Sequence, residues 1–237
     1  MKDSYFGDVN DYCKYGLLRC LTAFGELSSS ICWMLTADDG RPGGGKLDYL
    51  LNPSRWGGFD EELFSVLRQT VIGEDKRGVR YVRERNLIQS ASHFEEVLTD
   101  DQHLREGYFG RFMKLSPSAD LLFFDPDNGM EVASVPVGHS GSSKYLYWDE
   151  IRNIPSESYS LLVYQHFPRV QRKQFIDQMG NRFLRDTKYS HVISFRAANV
   201  VFFLLAAQRH ASFFEGRESV IQVNWEKQFR VDRHLDA

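Results

Sequence analysis

The sequence predicts an α/β fold, a mainly parallel, doubly wound sheet that closes with an antiparallel strand. Three observations point there. Several short runs are apolar on both faces and rich in aromatic and β-branched side chains, as strands covered on both sides must be. Segments with helical spacing lie between them, the alternation of parallel strands with crossover helices. And 237 residues, 42% hydrophobic and 26% charged, suit one large core rather than a disordered chain. Residues 1–237 therefore read as a single domain with a loop insertion near 132–158.

Taken in order, residues 11–24 carry Tyr12, Tyr15, Leu18 and Leu21 at helical spacing, with Asp11 as the cap. Residues 31–35 (ICWML) form the first strand. Residues 61–71 and 91–98 read as helices. Residues 120–124 (DLLFF) are the clearest strand, stopped abruptly at Asp125-Pro126, and 161–164 (LLVY) are the next. A helix over 170–184 places Phe175, Ile176, Met179 and Phe183 on one face. Residues 191–195 and 200–206 are again strands. Residues 220–225 (VIQVNW) alternate and read as an edge or antiparallel strand.

Composition excludes several classes. No apolar run reaches the roughly 20 residues that span a bilayer, and the MKDSYFGD start lacks a signal-peptide stretch, so no membrane partner is expected. Cys13, Cys20 and Cys32 are few, odd in number and without CxxC spacing, which fits a reducing cytoplasm. A net charge of −3 excludes a cationic coat but leaves local basic patches open.

In doubly wound sheets, ligands gather outside the carboxyl ends of the strands. Three loops there could carry chemistry. The first, 36–46, holds Thr36, Asp38, Asp39 and Gly40, with further glycines, Arg41 and Lys46. Its spacing is neither G-x-G-x-x-G nor a P-loop, and an ordinary surface loop is the competing reading. The second is Asp125-Pro126-Asp127-Asn128-Gly129-Met130-Glu131. Carboxylates so placed can accept hydrogen bonds from an amine, act as a base or hold Mg²⁺; an Asx turn is the alternative. The third joins His166, Phe167 and Arg169, suited to stacking and phosphate contact, or to plain packing beside the next helix. Beyond these, Lys144, Tyr145, Tyr147 and Trp148 combine a cation with aromatics, a surface on which nucleobases can stack, although packing of the segment against the core is the commoner use of such residues; Tyr5 lies in a similarly aromatic, polar N-terminal stretch.

The stretch Gly7-Asp8-Val9-Asn10-Asp11-Tyr12-Cys13-Lys14-Tyr15 resembles the G-N-x-A-D-x-x-K-H opening of the bacterial adenine-N6 methyltransferases of large-subunit ribosomal RNA. Asp125-Pro126-Asp127-Asn128 falls where that family has D-P-P-Y. The order of elements is also similar: a glycine-rich loop after the first strand, a helix before the Asp-Pro strand, and a terminal apolar pair of strands. The resemblance implies a Rossmann-like, methyltransferase-type fold and S-adenosylmethionine as cofactor, near Tyr15, Thr36, Asp38, Asp39, Gly40 and Glu106. It further implies catalytic roles for Lys14, Asp125, Pro126, Asp127 and Asn128. Two departures stand out: Tyr15 replaces the family's histidine, and Asn128 cannot supply its stacking ring. The segments YFGDVNDY, DPDNG and SSKYLYWDE also resemble those of a separate group of bacterial proteins.

Three functions follow as expectations. The first is methyl transfer to an amino group of RNA or DNA, with substrate contacts from Tyr5, Lys144, Tyr147, Trp148, His166, Phe167 and Arg169. The second is a Mg²⁺-dependent nuclease or phosphodiesterase using Asp125, Asp127 and Glu131. The third is a non-catalytic binding protein on the same fold.

Overall fold

The computed structural model describes residues 1–37 and 44–234. Among the described residues, nine strands are β1 (Ser29–Cys32), β2 (Ala91–Phe94), β3 (Leu121–Phe124), β4 (Gly129–Met130), β5 (Tyr145–Leu146), β6 (Ser160–His166), β7 (His191–Arg196), β8 (Val200–Ala206) and β9 (Arg230–His234). The α-helices are α1 (Val9–Leu21), α2 (Pro53–Trp56), α3 (Glu61–Arg68), α4 (Arg80–Glu84), α5 (Gln102–Leu115), α6 (Trp148–Arg152), α7 (Arg172–Asp186) and α8 (Ala211–Asn224).

Seven strands form the central sheet in the order β2-β1-β3-β6-β8-β7-β9. The pairs β2–β1, β1–β3 and β3–β6 are parallel, while β8 pairs antiparallel with β6 and β7, and β9 antiparallel with β7. Five strands thus run one way, with β8 slotted between β6 and β7 and β9 closing the edge. This is the Rossmann-like α/β architecture that the sequence predicts.

Side-chain alternation along the strands divides the core in two. Leu121 and Phe123 of β3 pack with Leu162, Phe202 and the helices α1, α3 and α8; Leu122 and Phe124 pack with Val163, Phe203 and the helices α5, α6 and α7. All these strand residues are buried, which is why the runs read as uniformly apolar.

Three expectations are corrected. Residues 91–98 are not a helix: 91–94 are the edge strand β2, in register with Ser29–Cys32. The i, i+3 apolar spacing of Ala91 and Phe94 mimics a helix, but an open parallel edge beside β1 captures the segment. Residues 220–225 are not a strand but the end of α8. Ile221 and Trp225, one turn apart, bury their side chains, while Val223 remains 75% exposed. The closing antiparallel strand is instead 230–234 (RVDRH), too charged to announce itself. Finally, α1 begins at Val9, and its cap is Asp8, whose carboxylate accepts from the amides of Asn10 and Asp11.

Helix α1 is buried nearly all round, and Gly16 is the reason it can approach α8. A β-carbon at Gly16 would overlap the Trp225 ring at Cζ2 and Cη2. That ring cannot step aside, being packed against Tyr12 and Phe59 with centroids at 5.2 and 5.3 Å. Replacing a helical glycine by alanine ordinarily gains about 1 kcal/mol. Here overpacking should win: Gly16→Ala is expected to lose about 1–3 kcal/mol, read as a lower urea midpoint at unchanged slope. A stabilised variant would show that the two helices have room to spare.

Candidate functional site

The carboxyl ends of β3 and β6, the start of α1 and the N-terminal segment enclose a cleft of about 490 Å³. Its floor is a buried ionic network. Asp125 ends β3, 1% exposed, with its amide bonded to the Cys32 carbonyl. Lys14, one turn inside α1, reaches it: Nζ lies 2.6 Å from Asp125 Oδ2 and 2.8 Å from Asp11 Oδ1. Asp11 Oδ2 accepts in turn from the Tyr15 hydroxyl at 2.8 Å and the Gly7 amide at 3.1 Å. The Lys14 ammonium also sits 4.9 Å from the centre of the Tyr164 ring, and the Tyr164 hydroxyl is 3.0 Å from His166 Nε2. Asp127 accepts from the Thr36 hydroxyl at 3.0 Å and pairs with the Met1 α-amino group at 2.6 Å.

The electrostatics follow from burial and these partners. Burial pulls the Lys14 ammonium down, but Asp11 and Asp125 outweigh it and hold its pKa above the ordinary value. Burial pushes the Asp125 carboxyl up, against the pull of Lys14. Asp127 lies below its usual value because the nearby amine and Thr36 outweigh its desolvation. His166 is held down by burial and by Lys14, which keeps its imidazole neutral at pH 7.

Asp8, which faces the same cleft, is pushed up to about 6 by burial and by the charge of Asp11. The folded protein therefore binds a proton that the unfolded chain has released between about pH 4 and pH 6. Stability falls as pH rises through that window, and the whole cost is present above it. Asn also caps helices well, so Asp8→Asn should keep the cap and relieve the charge. Urea denaturation should find it roughly 1–2 kcal/mol more stable than wild type near pH 7.5 and no more stable near pH 4. An equal gain at both values would sink the charge argument.

The structure gathers Lys14, Asp125, Pro126, Asp127, Asn128, Tyr5, Lys144 and His166 around this cleft. Thr36 touches it through Asp127. Tyr15 is fully buried beneath it, its ring edge-on to Trp33. Asp38, Asp39 and Gly40 lie outside the described residues. Glu106, Glu131 and Tyr147 line a different cleft, on the α5 side of the sheet. Trp148 is core, packed on Phe183 with Arg182 over its face. Phe167 packs on Phe175, and Arg169 is exposed beyond the cleft.

The chain crosses between the clefts at Gly129, whose φ of 111° suits glycine. Gln165 fills the space where a β-carbon would stand and accepts from the Met130 amide at 2.7 Å. Glu131 is thereby separated from Asp125 and Asp127. Among the described residues, no three His, Cys, Asp or Glu side chains are grouped to hold a metal ion. Asp11, Asp8 and Tyr164 are site residues that sequence reasoning passed over. The i, i+3 spacing of Asp11 and Lys14, and the place of Asp11 in the N-terminal motif, were the available signals.

No family model, curated protein or solved structure matches the chain. Among the described residues, no helix is long and apolar enough to cross a membrane.

Proposed function

We propose that the protein is an S-adenosylmethionine-dependent methyltransferase acting on an amino group of a nucleic acid, RNA or DNA. One observation carries this reading. Lys14 and Asp125, 111 residues apart in sequence, meet at 2.6 Å at the carboxyl end of the central strand β3, where a doubly wound sheet places its ligand. These are two of the residues through which the N-terminal and Asp-Pro motifs resemble the amino-methyltransferases.

The cleft fits such a pair of ligands in kind. Its volume lies in the range of small-molecule sites. Its carboxylates, Asp8, Asp11 and Asp127, suit a ligand carrying amino and sulfonium groups. On this reading Thr36 and Asp127 hold the donor, which supplies an electrophilic methyl group when bound. Asp125, fixed by Lys14, accepts a hydrogen bond from the target amine and orients its lone pair. Tyr5 is a half-exposed aromatic ring lining the cleft and can take the stacking role that Asn128 lacks. The buried, free cysteines accord with a cytoplasmic setting.

Two measurements test this. Calorimetric titration with S-adenosylmethionine should give saturable heat, and labelled donor should transfer methyl groups to RNA or DNA. Asp125→Asn should lower transfer by about 100-fold or more while the donor still binds. Folded protein that takes up no donor at high micromolar concentration would exclude the reading. The separation of Glu131 from the other two carboxylates leaves the Mg²⁺-dependent reading without its third ligand.

A further inference from the structure

The second cleft is larger, about 720 Å³, and lies between α5 and the 131–154 excursion, beside Phe124 at the end of β3. Its walls are fixed by polar contacts. The Arg105 guanidinium, 3% exposed, bonds both oxygens of Glu150 and the carbonyls of Ser142 and Tyr145. It stacks over Tyr147 at 4.7 Å, whose hydroxyl donates to the Val135 carbonyl at 2.8 Å. The Asp100 carboxylate holds the amides of Gly141 and Ser143 at 2.8 and 2.7 Å. A cavity walled this way is preformed rather than a gap under a loose loop.

Its lining combines two features. Phe109, Met113, Val135 and Ile154 present half-buried apolar surface. The charged groups are mostly acidic: Glu106, Glu131, Asp149 and Glu150 against Arg105 alone. Glu150 neutralises Arg105, and Asp149 pairs with Arg152 at 2.8 Å. Glu131 is half-buried, and its carboxylate accepts from the Trp148 amide at 3.4 Å. Among the described residues neither Glu131 nor Glu106 pairs with a lysine or arginine. Glu106 is exposed on the rim and Glu131 is half-buried beside the apolar wall, so a ligand's cation can meet both carboxylates without breaking an existing ion pair.

We propose that this cleft binds a small organic cation with an apolar or aromatic body, the body lying against Phe109 and Val135 and the charge between Glu106 and Glu131. The site stands apart from the methyl-transfer reading, which concerns the other cleft.

A matched pair of probes tests it: 4-phenylbutylamine, protonated at neutral pH, and 4-phenylbutyrate, which carries the opposite charge on the same body. Calorimetry with the full chain should find the amine bound about tenfold tighter or better. In Glu106→Gln/Glu131→Gln the two affinities should converge to within about twofold, because the charge preference has been removed and the apolar wall kept. Ala133→Trp, at an exposed position on the rim, should block both probes without altering the thermal melt. No uptake of the amine up to about 1 mM would overturn the proposal. So would a preference that survives the double substitution, or binding indifferent to Ala133→Trp.

Discussion

Lys14→Met is expected to lose about 3–5 kcal/mol of stability near pH 7, the largest effect of any single substitution in the first cleft. The side chain is 2% exposed and is the cation shared by Asp11 and Asp125. Methionine fills the space but leaves two carboxylates in a region where burial already pushes Asp125 up. The loss is therefore not that of a surface ion pair, which is worth under about 1 kcal/mol, but of an uncompensated buried charge. Two consequences separate these cases. The penalty should shrink as pH falls, because the folded variant takes up a proton that the unfolded chain does not hold. Lys14→Met/Asp125→Asn should cost less than the two single changes added together, by on the order of 1–3 kcal/mol. Urea denaturation of the four proteins at two pH values checks both. Strict additivity, or a penalty independent of pH, would show that Lys14 contributes packing alone.

That network also shows what the residues could and could not announce. Asp125 was legible because the run LLFF is apolar at every position and an Asp-Pro step ends it, so the strand and its ligand end are both written locally. Lys14 was legible through its spacing from Gly7 and Asp11. Their meeting with Asp125 required the sheet order, which places β3 between β1 and β6 and is not a local property. Asp8 and Asp11 are both good cap residues three positions apart, and only the backbone at Asp8 decides between them. Glu131 looked like a third member of the acidic cluster because six residues is a short distance along a chain. A single positive φ at Gly129 carries it to the opposite cleft. β2 and β9 were missed for a common reason: edge strands are half-exposed and carry polar side chains, so they lack the uniform apolar signal of β3 and β8. Trp148 and Tyr147 are neighbours in sequence, yet one fills the core and the other walls a cleft. An aromatic-rich segment does not reveal that division.

Arg105→Met should open the 131–154 excursion while leaving the sheet intact. The guanidinium ties α5 to Glu150, Ser142 and Tyr145 at once, with Nη2 at 3.0 Å from Glu150 Oε2 and 2.6 Å from the Tyr145 carbonyl. Removing it strands Glu150, whose carboxyl burial already pushes up and the charge of Glu131 pushes further. The Tyr145 carbonyl also loses this donor, while that of Ser142 keeps the Tyr145 amide. Breaking such a pair costs about 3–5 kcal/mol when the group stays buried. The excursion has a cheaper course, since its strand β5 and the β4 strand it pairs with are two residues each and it can open to let Glu150 reach water. The global loss is then capped by the free energy of that local opening. Amide exchange over 131–147 should accelerate by about 100-fold or more, equivalent to roughly 3 kcal/mol, while the slowest amides of β3, β6 and β8 change far less. Arg105→Lys should fall between, because an ammonium keeps the charge but cannot serve two carboxylate oxygens and two carbonyls in one plane. If the sheet and the excursion lost protection together, the two would be a single cooperative unit. The second cleft would then owe its shape to the core rather than to this one arginine.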